Sequence, residues 1–438
     1  MSDHIFAGFG FGPIQAGLFA KEAFESGQFC RIVVAEIAQP LVDAVRANGG
    51  TYFVNVAQAD GIETLKIDNV ELLNPTRPED NNIFRISLAE ATEIVTSLPS
   101  VDFYSAGQDN SVAALIAEAV GLAKAKGTIV YAAENDNHAA EVLQRAVTQN
   151  LDVGRASPPA TNGRARTHDL PIQFLNTVIG KMSRVVQDPA EIAELSLAPI
   201  APGIDRAFLV EEFNRILVSK ATIPAFRPGI EVFIEKDDLL PFEEAKLYGH
   251  NAIHALLGFI GSLKGYAKMT ELQSDEALMR VAKEAFLTES GSALIDKYAS
   301  VGDALFTEAG YRHYAEDLLE RMTNPYLGDT TDRAARDVVR KLGISDRIFG
   351  TMALALEHGI EPKNMATGAL AGVALLLHSP AEYSLPDELT TLHRRDISTD
   401  DLRRLLAWTW QGQTSPHRQA LIDHTHRAQA PLADLLEE

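Results

Sequence analysis

In the first part of the chain the apolar positions fall in short runs set between turn residues and amphipathic stretches. His4-Ile5-Phe6-Ala7 is the first run and predicts a strand. It leads into Gly8-Phe9-Gly10-Phe11-Gly12-Pro13-Ile14-Gln15-Ala16-Gly17, and a helical pattern then continues through Ala23 and Phe24 to stop near Gly27. Ile32-Val33-Val34-Ala35 predicts the next strand and is followed by Glu36. Further on, Val101 to Ser105 predicts a strand, Val112 to Ala125 an amphipathic helix, and Thr128 to Ala132 another strand ending at Glu134-Asn135. Ile172 to Ile179 is again strand-like, with Asn176 as its one strongly polar insertion. Strands alternating with helices predict a doubly wound sheet. Residues 154–171, rich in Pro, Gly and Arg without periodicity, read as a surface excursion.

From about Ala201 the period changes to that of helices. Phe208 to Val218 and Phe242 to Leu263 predict helices, as do Asp275 to Tyr298, Tyr311 to Met322, Asp329 to Leu342, Ser345 to Gly359 and Asn364 to Leu377. Two more patterns, Asp400 to Trp410 and His417 to Leu436, fit packing on the body or on a second subunit. The expected fold is α/β: an N-terminal Rossmann-type doubly wound sheet followed by a mostly α-helical C-terminal domain. The expected division is 1–200, 201–385 and a helical extension over 386–438.

The 438 residues suit two domains, and 46% hydrophobic with 23% charged residues is a globular composition. No apolar run reaches the roughly 18 residues of a membrane span, and no leader pattern opens the sequence. With Cys30 the single cysteine, a reducing cytoplasm is the expected location. The formal charge of −21 argues against nucleic acid or an anionic membrane as partner; a small molecule is expected, and the oligomeric state stays open.

Strand, glycine turn, helix, strand and acid together form a dinucleotide-binding pattern. Gly10 and Gly12 allow the tight turn and let backbone N–H groups, with Pro13, Ile14 and Gln15 opening the helix, approach a pyrophosphate. Gln15 stands at the third glycine position of the fingerprint. Glu36 suits the adenosine ribose hydroxyls and repels a 2′-phosphate, so NAD is expected over NADP. Gly107 and Asn135, read at strand ends, are candidates for the nicotinamide side or ordinary loop residues.

The other candidate stretch is Lys246 to His254. On an α-helix, Asn251 lies about 140° and His254 about 80° around from Lys246, so one broad face can carry a base, an amide and an imidazole. His250 shares that face. Cysteine or clustered-histidine zinc ligation lacks its residues, and no tyrosine has a lysine four positions on, which excludes the Tyr-x-x-x-Lys route. A dehydrogenase with a lysine base and no metal remains.

Lys246-x4-Asn251-x2-His254 resembles the signature of the polyol-specific long-chain dehydrogenases, the mannitol dehydrogenase family. Leu256-Leu257-Gly258 and Glu289-Ser290-Gly291 agree, and Asn324-Pro325-Tyr326-Leu327-x-Asp329 with Arg333, Arg336, Arg340-Lys341-Leu342 and Asp346-Arg347 is similar to the mannitol-1-phosphate 5-dehydrogenase branch. The resemblance runs from the glycine loop to about Leu377. It implies NAD-linked interconversion of a polyol phosphate and a ketose phosphate (mannitol 1-phosphate and fructose 6-phosphate), or else of a free polyol or sugar acid. Lys246 is then the general base, Asn251 with Asn176 bonds the reacting oxygen, and His254 orients the substrate. Arg333, Arg336 and Arg340, at i, i+3 and i+7 with Lys341 and Arg347 nearby, either hold the substrate phosphate or pair with acids such as Asp329, Asp332 and Asp337. Asn176 is closer to the non-phosphorylated mannitol dehydrogenases. A non-catalytic NAD-binding redox sensor has no need of the Lys-Asn-His face.

Overall fold

The computed structural model describes residues 4–122, 127–154, 172–212, 215–224, 226–392 and 396–437, without the side chains of 152–154. Of the expected excursion at 154–171, Gly154 closes a helix and residues 155–171 lie outside the described residues, as do the last residues of the helix expected to reach Ala125. The chain forms two compact units, Met1–Leu240 and Pro241–Glu438.

Among its described residues the first unit carries twelve strands: β1 His4–Phe9, β2 Phe29–Ala35, β3 Tyr52–Ala57, β4 Ile62–Ile67, β5 Val70–Leu73, β6 Glu93–Thr96, β7 Thr128–Ala132, β8 Ile172–Ile179, β9 Ser183–Val186, β10 Ala207–Glu211, β11 Ile216–Ser219 and β12 Phe233–Lys236. Eight of them form one sheet in the order β12-β11-β8-β7-β6-β1-β2-β5. The six from β8 to β5 are mutually parallel and reproduce the order of a Rossmann sheet, with β1 flanked by β2 and β6. The chain order reverses beside β1, so ligands of such a sheet gather at the carboxyl ends of β1 and β6. Runs such as Val33-Val34-Ala35 and Thr128 to Ala132 are buried throughout, as expected of strands covered on both faces. The other four strands make a smaller mixed sheet, β4-β3-β10-β9.

Two expected elements take another form. Val101–Ser105 is a 3-10 turn, opened by Ser100, whose hydroxyl accepts the Asp102 N–H. The strand of that βα unit is β6, Glu93–Thr96, only four residues long and led by an acid. Glu93 is tolerated there because its carboxylate accepts from Gly229 N (2.6 Å) and the Tyr131 hydroxyl (3.2 Å). The expected helix Phe208 to Val218 is instead β10 and β11. Ala207 to Glu211 are all buried, a continuous run that suits a central strand held by β3 on one side and β9 on the other. Strands therefore continue beyond residue 201, and the compact division falls at Leu240.

The second unit is helical. Leu240–Glu244, Ala245–Asn251 and Ala252–Lys264 run on as one helix, the middle stretch in π form, which ends at Gly265 in the left-handed conformation (φ 83°). Thr331–Ala335 packs across it at Gly258, where an added Cβ would stand 2.6 Å from Ala334 Cβ and 2.8 Å from Ala335 N. Lys363–His378 packs on the same helix, Gly368 against Leu256. The helices after residue 386 join this body: the Trp410 indole N–H donates to Leu342 O (3.0 Å) and its ring meets Phe349 edge-on.

The Gly258 contact is with backbone and cannot be relieved by a rotamer change. Gly258→Ala is expected to destabilise the protein by about 1–3 kcal/mol, read from urea unfolding; unchanged stability would mean the two helices separate freely.

Candidate functional site

In the N-terminal unit, β1 ends at Phe9 and the chain turns at Gly10, whose φ of +80° and close neighbour restrict it to glycine: a Cβ would lie 2.7 Å from Ser97 O. Gly10 N donates to Ala35 O (2.9 Å), tying the turn to β2. At Gly12 the space is open, with no heavy atom of the described residues beyond its own neighbours within 4 Å of a Cβ position. The helix then opens through Pro13 and Ile14, with Ala16 N donating to Gly12 O (2.8 Å). Gln15 is fully buried, and its amide occupies the place a side chain at residue 8 would need. Glycine thus moves from the helix to the strand, and close strand–helix packing survives the departure from the fingerprint. The Gln15 amide has no hydrogen-bond partner among the described residues.

Glu36 sits at the end of β2. Its carboxylate accepts from Phe11 N (3.0 Å) and Ala38 N (2.8 Å), which fixes it against the glycine loop with lone pairs to spare. Ile37 beside it is 71% exposed, an apolar side chain in water next to the acid. An open glycine turn, a helix N-terminus and a fixed acid fit the adenosine diphosphate part of a dinucleotide.

The loop at the carboxyl end of β6 is Ser97-Leu98-Pro99, which sequence reasoning missed along with the strand. Glu134, just after β7, holds it by accepting from Leu98 N (2.9 Å), Thr96 Oγ1 (2.9 Å) and the Tyr104 hydroxyl. Burial raises the pKa of Glu134. Gly107 lies farther on, exposed between two 3-10 turns, and Asn135 is exposed after β7. Asn176, on β8, accepts from Ala140 N (2.8 Å) and donates to Glu141 Oε2 (2.8 Å), so it holds the start of the helix Ala139–Gly154.

In the helical unit, Lys246, His250 and Asn251 lie in the π stretch Ala245–Asn251. A π turn bonds residues five apart, which places position i+5 above position i. Lys246 and Asn251 are five apart, so they stand closer to one face than α geometry allows. Burial first and the Arg347 guanidinium second lower the Lys246 pKa to about 8, against the opposing pull of Glu243. His250 is buried, and burial with the nearby charges of His254, Arg321, Lys246 and Arg347 holds it well below the usual imidazole range. The Asn251 amide is half-buried and makes no side-chain hydrogen bond to the described residues.

His254, one turn on, contacts Asp329 through Nε2 at 2.9 Å. Asp329 is 5% exposed and also accepts from Arg333 Nη1 (2.9 Å) and Thr330 N (2.9 Å). Although burial opposes its ionisation, His254 and Arg333 hold its pKa well below the carboxylate range. In the sequence Asp329 closes the Asn324-Pro325-Tyr326-Leu327-x-Asp329 pattern and lies near the arginines. Nothing local ties it to a histidine 75 positions earlier.

The basic cluster does not form one stripe. Thr331–Ala335 and Val338–Lys341 are separate turns, because Arg336 turns extended and Asp337 takes a left-handed φ of 62°. Each arginine has an acid beside it: Arg333 has Asp329, Arg340 lies 3.4 Å from Asp337 and 3.5 Å from Asp346, and Arg347 donates to Asp346 (2.8 Å). Arg336, largely exposed, is 3.9 Å from Asp337. Lys341 is buried and donates to Ala334 O (2.6 Å); burial, then Arg347 and Arg340, push its pKa down to about 7.

Residues 238–389 match the model of the mannitol dehydrogenase C-terminal domain, a stretch containing Lys246, Asn251, His254 and Asp329. The chain is similar to a D-sorbitol dehydrogenase in substrate-free form, at 16% identity and a TM-score of 0.75 over 98% of this chain and 94% of that one. It is also similar to Pseudomonas fluorescens mannitol 2-dehydrogenase, solved as a ternary complex with NAD and D-mannitol, at 16% identity and a TM-score of 0.70 over 100% of this chain and 94% of that one. These likenesses establish the fold: a Rossmann-type unit followed by a mostly helical one.

The electrostatics at Lys246 can be read directly. After reductive 13C-methylation, with Lys246→Arg to assign the signal, Lys246 is expected to titrate near about 8, and Arg347→Met to move its midpoint upward. A midpoint near that of a free lysine would remove the basis for a neutral amine here.

Proposed function

We propose that the protein is an NAD-dependent dehydrogenase that interconverts a free polyol and its ketose, with Lys246 as general base. The observation that carries this reading is the Lys246 amine. Burial and Arg347 lower its pKa to about 8, so far more of it is neutral near physiological pH than of a free lysine, and it shares a π turn with an uncommitted amide, Asn251. A neutral amine can take the hydroxyl proton of a secondary alcohol as the carbinol C–H bond gives up hydride. The Asn251 amide donates to the oxygen as negative charge develops there. NAD, which supplies the hydride acceptor, would be held by Gly10, Gly12, Pro13, Ile14 and Gln15 at the glycine turn and by Glu36 at the ribose.

The choice of a free polyol rests on the arginines. A phosphate dianion would have to compete with Asp329, Asp337 and Asp346 for guanidinium groups already beside them, in a chain of net charge −21. Solved proteins of this fold that are named for sorbitol and mannitol are consistent with the same choice.

With NADH as reductant, kcat/KM for fructose is expected to exceed that for fructose 6-phosphate by tenfold or more in a ketose panel; the reverse ranking would restore the phosphate reading. Lys246→Ala is expected to lower kcat by ~10²-fold or more while NADH binding, followed by fluorescence, stays within about twofold. Retained turnover would place the base elsewhere.

A further inference from the structure

The contact between His254 and Asp329 has a direction, because a carboxylate can only accept. Asp329 lies among Arg333, the Thr330 N–H and the imidazole, and these donors keep it ionised. His254 Nε2 must therefore carry a hydrogen. In the neutral ring this leaves Nδ1 with a bare lone pair, and Nδ1 has no partner among the described residues. The other ring nearby is that of His250, edge-on at 6.5 Å between centroids.

We propose that Asp329 sets the tautomer of His254, so that Nδ1 accepts a hydrogen from a substrate hydroxyl adjacent to the reacting carbon. This rests on the polyol dehydrogenase reading above and specifies what that site demands of its substrate. A bare Nδ1 repels the lone pairs of a ketone oxygen and cannot donate to it, so the donors to that oxygen are Lys246 and Asn251. What suits Nδ1 is an O–H group. The substrate class is then an α-hydroxy ketone on one side of the reaction and a vicinal diol on the other. A ketone without that hydroxyl leaves the Nδ1 acceptor without its substrate partner, a mismatch that polar sites discriminate against. Asp329 is a positioning residue: it touches His254 and acts through it.

The hydrogen bonds also predict what Asp329→Asn does. Arg333 and Thr330 both donate to Oδ1, whereas His254 contacts Oδ2. The amide oxygen stays with its two donors, and the NH2 group turns toward His254. Nε2 then has to accept, and the ring hydrogen moves to Nδ1. The variant keeps its shape and size while the histidine changes from acceptor to donor.

The test has two arms. In the first, 15N-histidine NMR of the full-length protein, with His254→Asn to assign the signals, reads which ring nitrogen is bare. The expected result is a bare Nδ1 in the wild type, and in Asp329→Asn a bare Nε2. A neutral wild-type ring with its hydrogen on Nδ1 would overturn the proposal, and this holds even if Asp329→Asn fails to fold. In the second, NADH-dependent reduction of fructose is compared with that of 1-deoxyfructose and 3-deoxyfructose. The wild type is expected to prefer fructose over at least one of them by ~10²-fold or more in kcat/KM, and Asp329→Asn to lose most of that preference. Equal use of all three ketoses by the wild type, or an unchanged preference in the variant, would overturn it. A bare Nδ1 in a protein that reduces no ketose would instead count against the dehydrogenase reading and leave the tautomer assignment standing.

Discussion

Charging Lys246 costs free energy where it stands, because burial and the Arg347 guanidinium both disfavour the ammonium. Its ammonium would be partly removed from water and face the guanidinium of Arg347, which Asp346 holds by its Nε. Glu243 pulls the other way but does not cancel burial. Burial, together with the same cationic surroundings, keeps His250 neutral, so the buried neighbour of the lysine adds no charge of its own. Asp329 sits at the other end of this face, fully ionised. The face thus runs from a destabilised cation to a stabilised anion. This suits a reaction in which a proton leaves one oxygen while neighbouring hydroxyls are held by fixed acceptors.

The backbone takes part as well. A regular α-helix would set Lys246 and Asn251 well apart around the axis, and the π stretch Ala245–Asn251 brings them together. Such a stretch weakens hydrogen bonding within the helix and persists where packing or function favours it. Here Gly249 lets Tyr311 and Phe286 approach closely, with the Tyr311 hydroxyl 2.7 Å from where a Cβ would be, so the bulged turn is packed on its inner side. The N-terminal unit uses a similar exchange of bulk: Gly8 on the strand makes room for Gln15 on the helix.

What could be read from the sequence was what local chemistry encodes. β1, the glycine turn, β2 and Glu36 are consecutive, and each declares itself through its own residues. Lys246, Asn251 and His254 lie on one continuous helix, as their short spacing predicts. β6 was missed because four residues led by a glutamate carry almost no pattern, and the partners that make Glu93 tolerable lie 38 and 136 positions away. β10 was read as a helix because its burial comes from β3 and β9, which its own sequence does not show. The arginine stripe assumed an unbroken helix, and Asp337 breaks it. The tie between Asp329 and His254 stayed hidden because the two are remote in sequence and close only in the fold.

The central claim is that a lysine held near neutrality performs the proton transfer. Its most direct test is the pH dependence of NAD reduction with mannitol or sorbitol. Oxidation needs the free amine, so kcat/KM should rise with pH and level off above about 8; ketose reduction needs the ammonium and should fall through the same range. In Lys246→Arg this dependence should vanish along with most of the activity. A flat profile in the wild type, or the same midpoint in the variant, would contradict the account.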